Sequence, residues 1–561
     1  MRRQWVLRLL NPSWVDKMER ASISAGRVND GTFNRKKVLD SLWPVLLLAV
    51  VAAVVLYRDH TSASNLDIVP DSTEYALAAH RFATAGEYKI LVEGRWLPPR
   101  YPPWFSVLAL TPAYLLLGPE PGNAIYPITI FGVAGIVIAF LLGKKIGGEW
   151  GGTAAALAVL ALPMYRLWSR HVMTDVPAAV LMLGTCLLYL RLRARTDVRP
   201  IVYLFAGLVT AVAALFRPVC AAAVLPFLVF VFASPHLALT LRKLAFLAAP
   251  LGVAAAASLA YNASEFGSPF RNGYHFWVPV PYDYAHLTFS LSYVAVNFEV
   301  LWETNALVLM CAAGVAWAMD RWIIRSKDNG QPRPHAVRWI AEFVLLGTGL
   351  IVLFHLIYFF PAHRFYLPTV ALVAAMIGGM VGGWLRQLPR SALLGVLALA
   401  LLWAALERSS EPHPPPYRRL AADEILRYTP EDAWIISGIE PAYLEYLVAR
   451  ESQRRVVPIS RHVEYASKVI APEKIPHPNP PPRHWQDHRC AGLLRGGAHE
   501  AVRFVASEQL DSIAGQLVRG TRVYVDLVYV PPDDRPILEE LERRFLFVPH
   551  SKVLFELRSR G

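Results

Sequence analysis

The chain has 561 residues, of which 55% are hydrophobic and 18% charged, with a formal net charge of +13. Ordinary soluble proteins carry about a quarter charged residues, so this composition argues against a soluble globular chain. The basic residues are spread over short segments between apolar runs, which argues against nucleic-acid binding and favours a role in membrane topology. No disulfide framework is expected, because three of the four cysteines lie within apolar runs: Cys186, Cys220 and Cys311.

Residues 1–41 form a basic, polar segment that does not resemble a cleavable signal peptide. Its many Arg and Lys residues predict a cytoplasmic location. Apolar runs follow, each near the length of about 20 residues that crosses a hydrocarbon core as a helix. The candidate spans are 42–57, 104–118, 123–142, 151–168, 176–192, 201–216, 219–233, 243–260, 305–319, 339–360, 365–384 and 391–406.

The distribution of basic loops decides how many of these runs cross the membrane. If all cross, Lys144, Lys145 and the arginines at 191–195 lie outside, against the positive-inside rule. The run 104–118 is short and contains Pro112, so we interpret it as a re-entrant or surface helix. About eleven crossings then remain, with the later basic loops and the N-terminus cytoplasmic and the C-terminus outside. The segments predicted to be extracytoplasmic are 58–103, 169–175, 217–218, 261–304, 361–364 and everything after about 407.

From about residue 407 the composition becomes Pro-rich and charged. Short β-like runs alternate there with helical patterns, which predicts a small extracytoplasmic α/β domain over 407–561. His484, His488 and Cys490 have a spacing that fits a metal site, but structural zinc normally takes four ligands, so a polar loop is the favoured interpretation. The β-like runs are 433–437, 455–459, 522–530 and 552–557, and the helical patterns are 440–449, 498–518 and 536–544.

The first outer loop carries an acidic cluster directly after the first apolar run. It contains Asp67, Asp71 and Glu74, with Pro70 immediately before Asp71. Proline is favoured at the first position of a helix, so Asp71 is either a helix cap or a functional carboxylate.

Three motifs in this sequence resemble one group of membrane enzymes. The first runs from Asp71-Ser-Thr-Glu-Tyr75 to Arg100-Tyr-Pro-Pro103, the second is His171-Val-Met-Thr-Asp175-Val-Pro177, and the third is Phe359 to Pro368. In this order they resemble the protein O-mannosyltransferases and the aminoarabinose (lipid A) transferases, which share the multi-spanning GT-C fold. Ser72 departs from the group, which most often has Glu there. The resemblance implies that 42–406 is a transmembrane helical catalytic domain.

The resemblance also implies a reaction. Such enzymes move a sugar from a polyprenyl phosphate to an acceptor hydroxyl on the extracytoplasmic face, with inversion at the anomeric carbon. A carboxylate near the acceptor oxygen acts as the general base, the role that the resemblance gives to Asp71. Asp175 either orients the acceptor, holds a divalent ion or basic partner, or only caps the following helix. The donor, an acceptor on protein, lipid or glycan, and membrane lipid are the expected partners.

The leaving phosphate needs cations, and Arg217, Arg364 and Arg100 are the candidates on the predicted outer side. Snorkelling to the membrane interface is the alternative for Arg217. Mg²⁺ or Mn²⁺ is compatible with Asp175, but the outer loops lack a DxD-type pair, which argues against a tightly bound metal. The candidate substrate-binding residues are Glu74, Tyr75, Tyr101, His171, His363 and Tyr274.

Two other functions fit parts of the sequence. A transporter or flippase of a lipid-linked sugar would place ionisable residues near the bilayer midplane and show repeated halves, whereas the polar signals here lie at one membrane surface. A non-catalytic membrane scaffold would tolerate the loss of the Asp71 charge. The aromatic loop 261–304 is either a lid with a substrate groove or an interfacial belt.

Overall fold

The structure of the protein is a computed structural model. The basic N-terminal segment 1–41, the candidate span 305–319 apart from Gly314, the candidate span 391–406, and the candidate metal residues His484, His488 and Cys490 lie outside the residues that it describes. The described residues are 48–56, 70–92, 95–194, 199–232, 237–277, 282, 285–304, 314, 336–385, 417–439, 444–445, 447–448, 453–459, 510–530 and 535–560.

The described residues of the predicted first outer loop, 70–92 and 95–103, fold into a helix and a hairpin, and a second helix follows them. Helix Pro70–Ala85 begins with proline at a favoured position, and strands Ile90–Val92 and Arg95–Leu97 pair as an antiparallel hairpin that the sequence did not predict. The apolar helix Pro103–Leu117 contains a π-helical turn at Ser106–Leu110. It packs on the first helix through Phe105, Leu110 and Tyr114, which contact Tyr75, Ala76 and Ala79.

Apolar helices make up most of the described chain. Five of them are long and apolar enough to cross a membrane: Gly122–Leu160, Asp175–Arg193, Leu241–Phe266, Ala336–Leu356 and His363–Trp384. Shorter apolar helices are Pro103–Leu117, Pro200–Phe216 and Pro218–Phe232. The outer loop after Leu237–Phe266 contains helices Gly273–Trp277, Ala285–Thr288 and Val294–Glu303.

Glycine and proline set the breaks between these helices. The predicted spans 123–142 and 151–168 are joined in Ile125–Leu160, which is broken at Gly147 and at Gly148, where φ is 68°. The second of these spans ends at Leu160, earlier than predicted, because Pro163 holds Leu162 extended before the short helix Pro163–Trp168.

The C-terminal region contains a five-stranded sheet. Numbered after the hairpin strands β1 (Ile90–Val92) and β2 (Arg95–Leu97), its strands are β3 Trp434–Ser437, β4 Arg455–Pro458, β5 Val523–Asp526, β6 Phe545–Pro549 and β7 Leu554–Ser559. The strand order is β4-β3-β5-β7-β6, in which β4, β3 and β5 are parallel and β5, β7 and β6 antiparallel. Four strands match the predicted runs, whereas β6 was not predicted. Alternate residues pack on opposite faces, with Tyr524 against Ile425 on one face and Val525 among Ile513 and Leu541 on the other. The described helices of this region are Tyr417–Tyr428, 510–518 and Arg535–Arg544.

Candidate active site

Asp71 and Glu74 lie one turn apart on helix Pro70–Ala85, and both contact Arg100. Arg100 Nη2 donates to Asp71 Oδ1 and to Glu74 Oε1, at 3.0 Å in each case, and its backbone N–H donates to Glu74 Oε2 at 3.1 Å. Residues three apart share a helix face, so the sequence spacing of the two carboxylates is sufficient to place both on one guanidinium.

The backbone around Arg100 is held from two directions. Trp277 Nε1 donates to the Pro98 carbonyl at 2.8 Å, and Gly273 lies so close to the Arg100 carbonyl that a Cβ there would collide with it. Tyr88 donates to the carbonyls of Tyr101 and Pro102. The aromatic outer loop therefore fixes the segment that presents Arg100.

Arg364, which lies 293 positions after Asp71 in the sequence, binds the same carboxylate. Its Nη2 donates to Asp71 Oδ2 at 2.8 Å, so both carboxylate oxygens of Asp71 are bound by guanidinium groups. Burial by itself would raise the pKa of Asp71, but the charges of Arg100 and Arg364 outweigh it and hold the pKa below its usual value. Burial raises the pKa of Glu74 against the lowering effect of Arg100, and the neighbouring Asp71 charge adds to the rise.

Asp175 forms a further ion pair, with Arg217, close to those of Asp71 and Glu74. Arg217 Nη1 donates to Asp175 Oδ1 at 2.6 Å, and the Asp175 side chain is 1% exposed. Pro218 holds Arg217 in an extended conformation (φ −145°, ψ 105°), which ends helix Pro200–Phe216. Asp175 Oδ2 is buried and has no hydrogen-bond partner within the described part of the chain.

The Asp175–Arg217 and Asp71–Arg364 ion pairs lie next to the same aromatic ring, that of Phe365. The guanidinium carbon of Arg217 lies 4.9 Å from the centroid of the Phe365 ring, and that of Arg364 lies 5.7 Å from it. Arg364 also lies over Trp168, at 5.3 Å. We call the whole group the carboxylate–arginine cluster: Asp71, Glu74, Arg100, Asp175, Arg217 and Arg364.

Tyrosine rings border the cluster on the side of the outer loop. Tyr101 stacks on Tyr75 with centroids 4.3 Å apart and meets Tyr274 edge-on at 5.6 Å. Tyr274 in turn lies 4.8 Å from Tyr282, whose hydroxyl is 2.7 Å from that of Tyr358. Tyr101 also hydrogen-bonds to Asp71 and lies under the Arg100 guanidinium at 4.9 Å.

The two candidate histidines behave differently from the arginines. His171 is buried against Trp168, with Nδ1 2.8 Å from the Leu167 carbonyl, and burial lowers its pKa to about 4, so it is neutral at physiological pH. His363 is 52% exposed and its Nε2 lies 3.4 Å from Glu303. The His363 side chain therefore lies beside Glu303, although His363 directly precedes Arg364 in the sequence.

Several residues in the site were not predicted from the sequence. Phe365 lies inside the third motif and Tyr358 directly precedes it. Met173 lies inside the second motif, and Trp168 precedes that motif by three residues. Their position beside the motif residues is the signal that would have identified them. Tyr282 lies in the aromatic loop without a motif, so no sequence signal distinguished it.

The cluster combines acceptors of protons with donors for anions. Its carboxylates can take a proton from a hydroxyl, and its three guanidinium groups match the geometry of phosphate oxygens. In the part of the chain that the structure describes, no three His, Cys, Asp or Glu side chains form a group that could hold a metal ion.

Residues 102–261 match a family described as dolichyl-phosphate-mannose-protein mannosyltransferase. The matched stretch includes Asp175 and Arg217 but not Asp71 or Arg364. No curated protein matches the whole chain or a part of it.

Solved membrane-protein structures resemble the chain over nearly its full length. ArnT from Cupriavidus metallidurans in the apo state aligns with a TM-score of 0.52 and 14% identity, covering 92% of this chain and 98% of ArnT. ArnT bound to undecaprenyl phosphate gives a TM-score of 0.49 with 16% identity and the same coverage. AglB from Archaeoglobus fulgidus, in complex with an inhibitory peptide and a dolichol-phosphate, gives 0.49 with 14% identity, covering 93% of this chain and 75% of AglB. The likeness to apo ArnT therefore shows the GT-C fold that the sequence predicted, and the long apolar helices fit an integral membrane protein.

Proposed function

We propose that this protein transfers a sugar from a polyprenyl-phosphate donor to an acceptor hydroxyl at the extracytoplasmic membrane surface, with inversion. The observation that carries the proposal is the carboxylate–arginine cluster, in which two ion pairs from four separate chain segments meet around Phe365. The family matched by residues 102–261 is named for a sugar carried on a lipid phosphate, which supports the donor class.

Each group in the cluster has a role in this reaction. The acceptor oxygen attacks the anomeric carbon, the bond from that carbon to the phosphate oxygen breaks, and its electron pair leaves with the phosphate. Asp71 takes the acceptor proton as general base. Arg364, Arg217 and Arg100 stabilise the phosphate as its charge develops. Asp175 holds Arg217 and offers its free oxygen to the acceptor.

A second polar cluster supports the proposed orientation in the membrane. Arg193 Nη2 donates to Glu342 at 2.8 Å, and the Tyr189 hydroxyl donates to the same carboxylate at 3.0 Å. Arg193 and Asp175 are the two ends of helix Asp175–Arg193, which at 1.5 Å per residue spans about 27 Å, near the thickness of a hydrocarbon core. We therefore assign the carboxylate–arginine cluster to the outer surface and Arg193 to the cytoplasmic surface.

We further propose the domain division 1–41, 42–406 and 407–561. Helix Pro103–Leu117 supports the count of about eleven crossings, since its Phe105, Leu110 and Tyr114 pack against helix Pro70–Ala85 of the predicted outer segment. The sheet β4-β3-β5-β7-β6, with apolar residues packed on both faces, supports an α/β domain after the last span.

The proposal is tested with the purified protein in vesicles and a panel of radiolabelled polyprenyl-phosphate sugars. We expect release of polyprenyl phosphate together with labelled acceptor, and a loss of at least about 100-fold for Asp71→Asn, because a general base contributes about 10²–10⁴-fold. The control is Glu87→Gln, which removes an exposed carboxylate paired with Arg81 outside the cluster and should leave the rate unchanged. Movement of intact donor across the vesicle membrane without cleavage would instead establish a transporter.

A further inference from the structure

The three arginines of the cluster are held to different extents. Arg100 is bound by two carboxylates and through its own backbone N–H. Arg217 is bound by Asp175, the most buried carboxylate of the cluster. Arg364 has one carboxylate within ion-pair distance among the described residues, Asp71, and the charge of Asp175 also acts on it. Its Nη1 lies only 3.8 Å from the Met173 sulfur, a weak acceptor.

Asp71 cannot serve as base in this arrangement without losing a partner. Guanidinium groups occupy both of its oxygens, at 3.0 and 2.8 Å. A carboxylate paired with two cations is a weak base, because both cations stabilise its charged form. The residues proposed to bind the phosphate are therefore the same residues that block the proposed base.

We propose that Arg364 exchanges partners: it leaves Asp71 for the phosphate of the donor, so that Asp71 becomes available as base only when a donor is bound. This inference rests on the proposed function. The phosphate competes well for Arg364, because guanidinium and phosphate form bidentate, charge-assisted hydrogen bonds.

The surroundings of Arg364 allow such an exchange. Its guanidinium lies against the faces of Trp168 and Phe365, and these rings hold a cation without fixing which anion it bonds. Arg217 lies on the same Phe365 ring, so a phosphate that reaches Arg364 is also close to the second cation. Arg100 stays with Glu74, which keeps one cation on Asp71 and prevents the carboxylates from repelling each other.

The exchange predicts that Asp71 competes with polyprenyl phosphate for Arg364. The affinity of undecaprenyl phosphate, the probe, is measured by its binding to the full-length protein in nanodiscs. We expect Asp71→Asn to bind the probe about five- to tenfold more tightly than the wild type, the fold-change equivalent to one ion pair of about 1 kcal/mol. In an Arg364→Gln background the same substitution should change affinity less than about twofold.

Glu74→Gln is the matched control, because it removes a carboxylate from the next turn of the same helix that pairs with Arg100 and not with Arg364. Its effect on affinity should be the same with Arg364 and with Gln at that position. If Asp71→Asn binds the probe no more tightly than the wild type, or tightens it equally without Arg364, the exchange is wrong. If the wild type does not bind the probe at all, the proposed function itself fails.

A measurement on the wild type keeps the test independent of how well the variants fold. The acidic limb of kcat/KM for the donor reports the free enzyme, and that of kcat reports the donor complex. Asp71 faces Arg100, Arg364, Glu74 and Tyr101, and loss of the Arg364 contact moves its titration upward. We expect the acidic limb of kcat at higher pH than that of kcat/KM, and coincident limbs would contradict the exchange.

Discussion

At the scale of single residues, the pair of Asp175 and Arg217 shows how stability and function are joined in this site. The Asp175 side chain is 1% exposed and its partner 13%. A buried ion pair offsets the desolvation of two charges, so removing one partner leaves a charge in the interior with nothing to compensate it. A variant at either position alone therefore changes folding and chemistry together.

Arg217→Gln should lower the free energy of unfolding by about 3–5 kcal/mol, because it leaves Asp175 buried and unpaired. The double variant Asp175→Asn/Arg217→Gln should recover most of this loss, since neither side chain then carries a charge. Thermal unfolding in detergent measures the stability, and donor-dependent release of polyprenyl phosphate measures function.

We expect the double variant to remain defective in transfer although its stability returns. That outcome separates the role of Arg217 at the phosphate from its role in folding. A double variant that regains wild-type transfer would mean that the pair is only structural.

The residues of the cluster could be selected from the sequence, but their pairing could not. The motifs contain Asp71, Asp175 and Arg364, and Arg217 was selected because a charged residue between two apolar runs is costly without a partner. Asp71 and Arg364 are 293 positions apart, and no local pattern in the sequence links them. The partners Phe365 and Trp168 were missed since aromatic residues at a membrane surface are common for other reasons.

At the scale of elements, runs of apolar residues predict the helices, and glycine and proline lie where the helices break. The C-terminal strands that coincide with a β-like run in the sequence were predicted. Strand β6 (Phe545–Pro549) was not predicted, since it begins directly where helix Arg535–Arg544 ends. The hairpin of strands Ile90–Val92 and Arg95–Leu97 was not predicted, because each strand has three residues, too few for a clear alternating pattern.

The turn at Arg217-Pro218 is the element that aims Arg217 at Asp175. Pro218→Ala removes the restriction on the preceding residue, so that helix Pro200–Phe216 can continue and rotate the Arg217 side chain. We expect kcat/KM for the donor to fall by about tenfold or more, because small displacements of a positioning group are costly for rate. The free energy of unfolding should fall by no more than the loss of about 3–5 kcal/mol expected for Arg217→Gln, because Asp175 loses its partner only in part.

Pro200→Ala is the control for this turn, since Pro200 lies at the other end of the same helix, away from the cluster. It should leave kcat/KM near the wild-type value. A Pro218→Ala protein with unchanged kcat/KM would show that the turn does not position Arg217.

At the scale of the whole molecule, two clusters of charged residues lie at opposite ends of one long apolar helix. The carboxylate–arginine cluster lies at the N-terminal end of helix Asp175–Arg193, and the cluster of Arg193, Tyr189 and Glu342 lies at its C-terminal end. A midplane site of the kind expected in a transporter would instead interrupt this helix with polar residues. This separation favours an enzyme that works at one membrane surface.

The same separation predicts which exposed positions face the outside. Glu87 follows the first outer helix and Glu149 follows the Gly147–Gly148 break, and their side chains are similarly exposed, at 46% and 49%. In a background with the four native cysteines replaced, Glu87→Cys should react with a membrane-impermeant maleimide on intact cells. Glu149→Cys should react only after the membrane is permeabilised, because Lys144 and Lys145 place that turn in the cytoplasm. The reverse pattern would place the carboxylate–arginine cluster on the cytoplasmic side, and the donor would then have to be presented from within the cell.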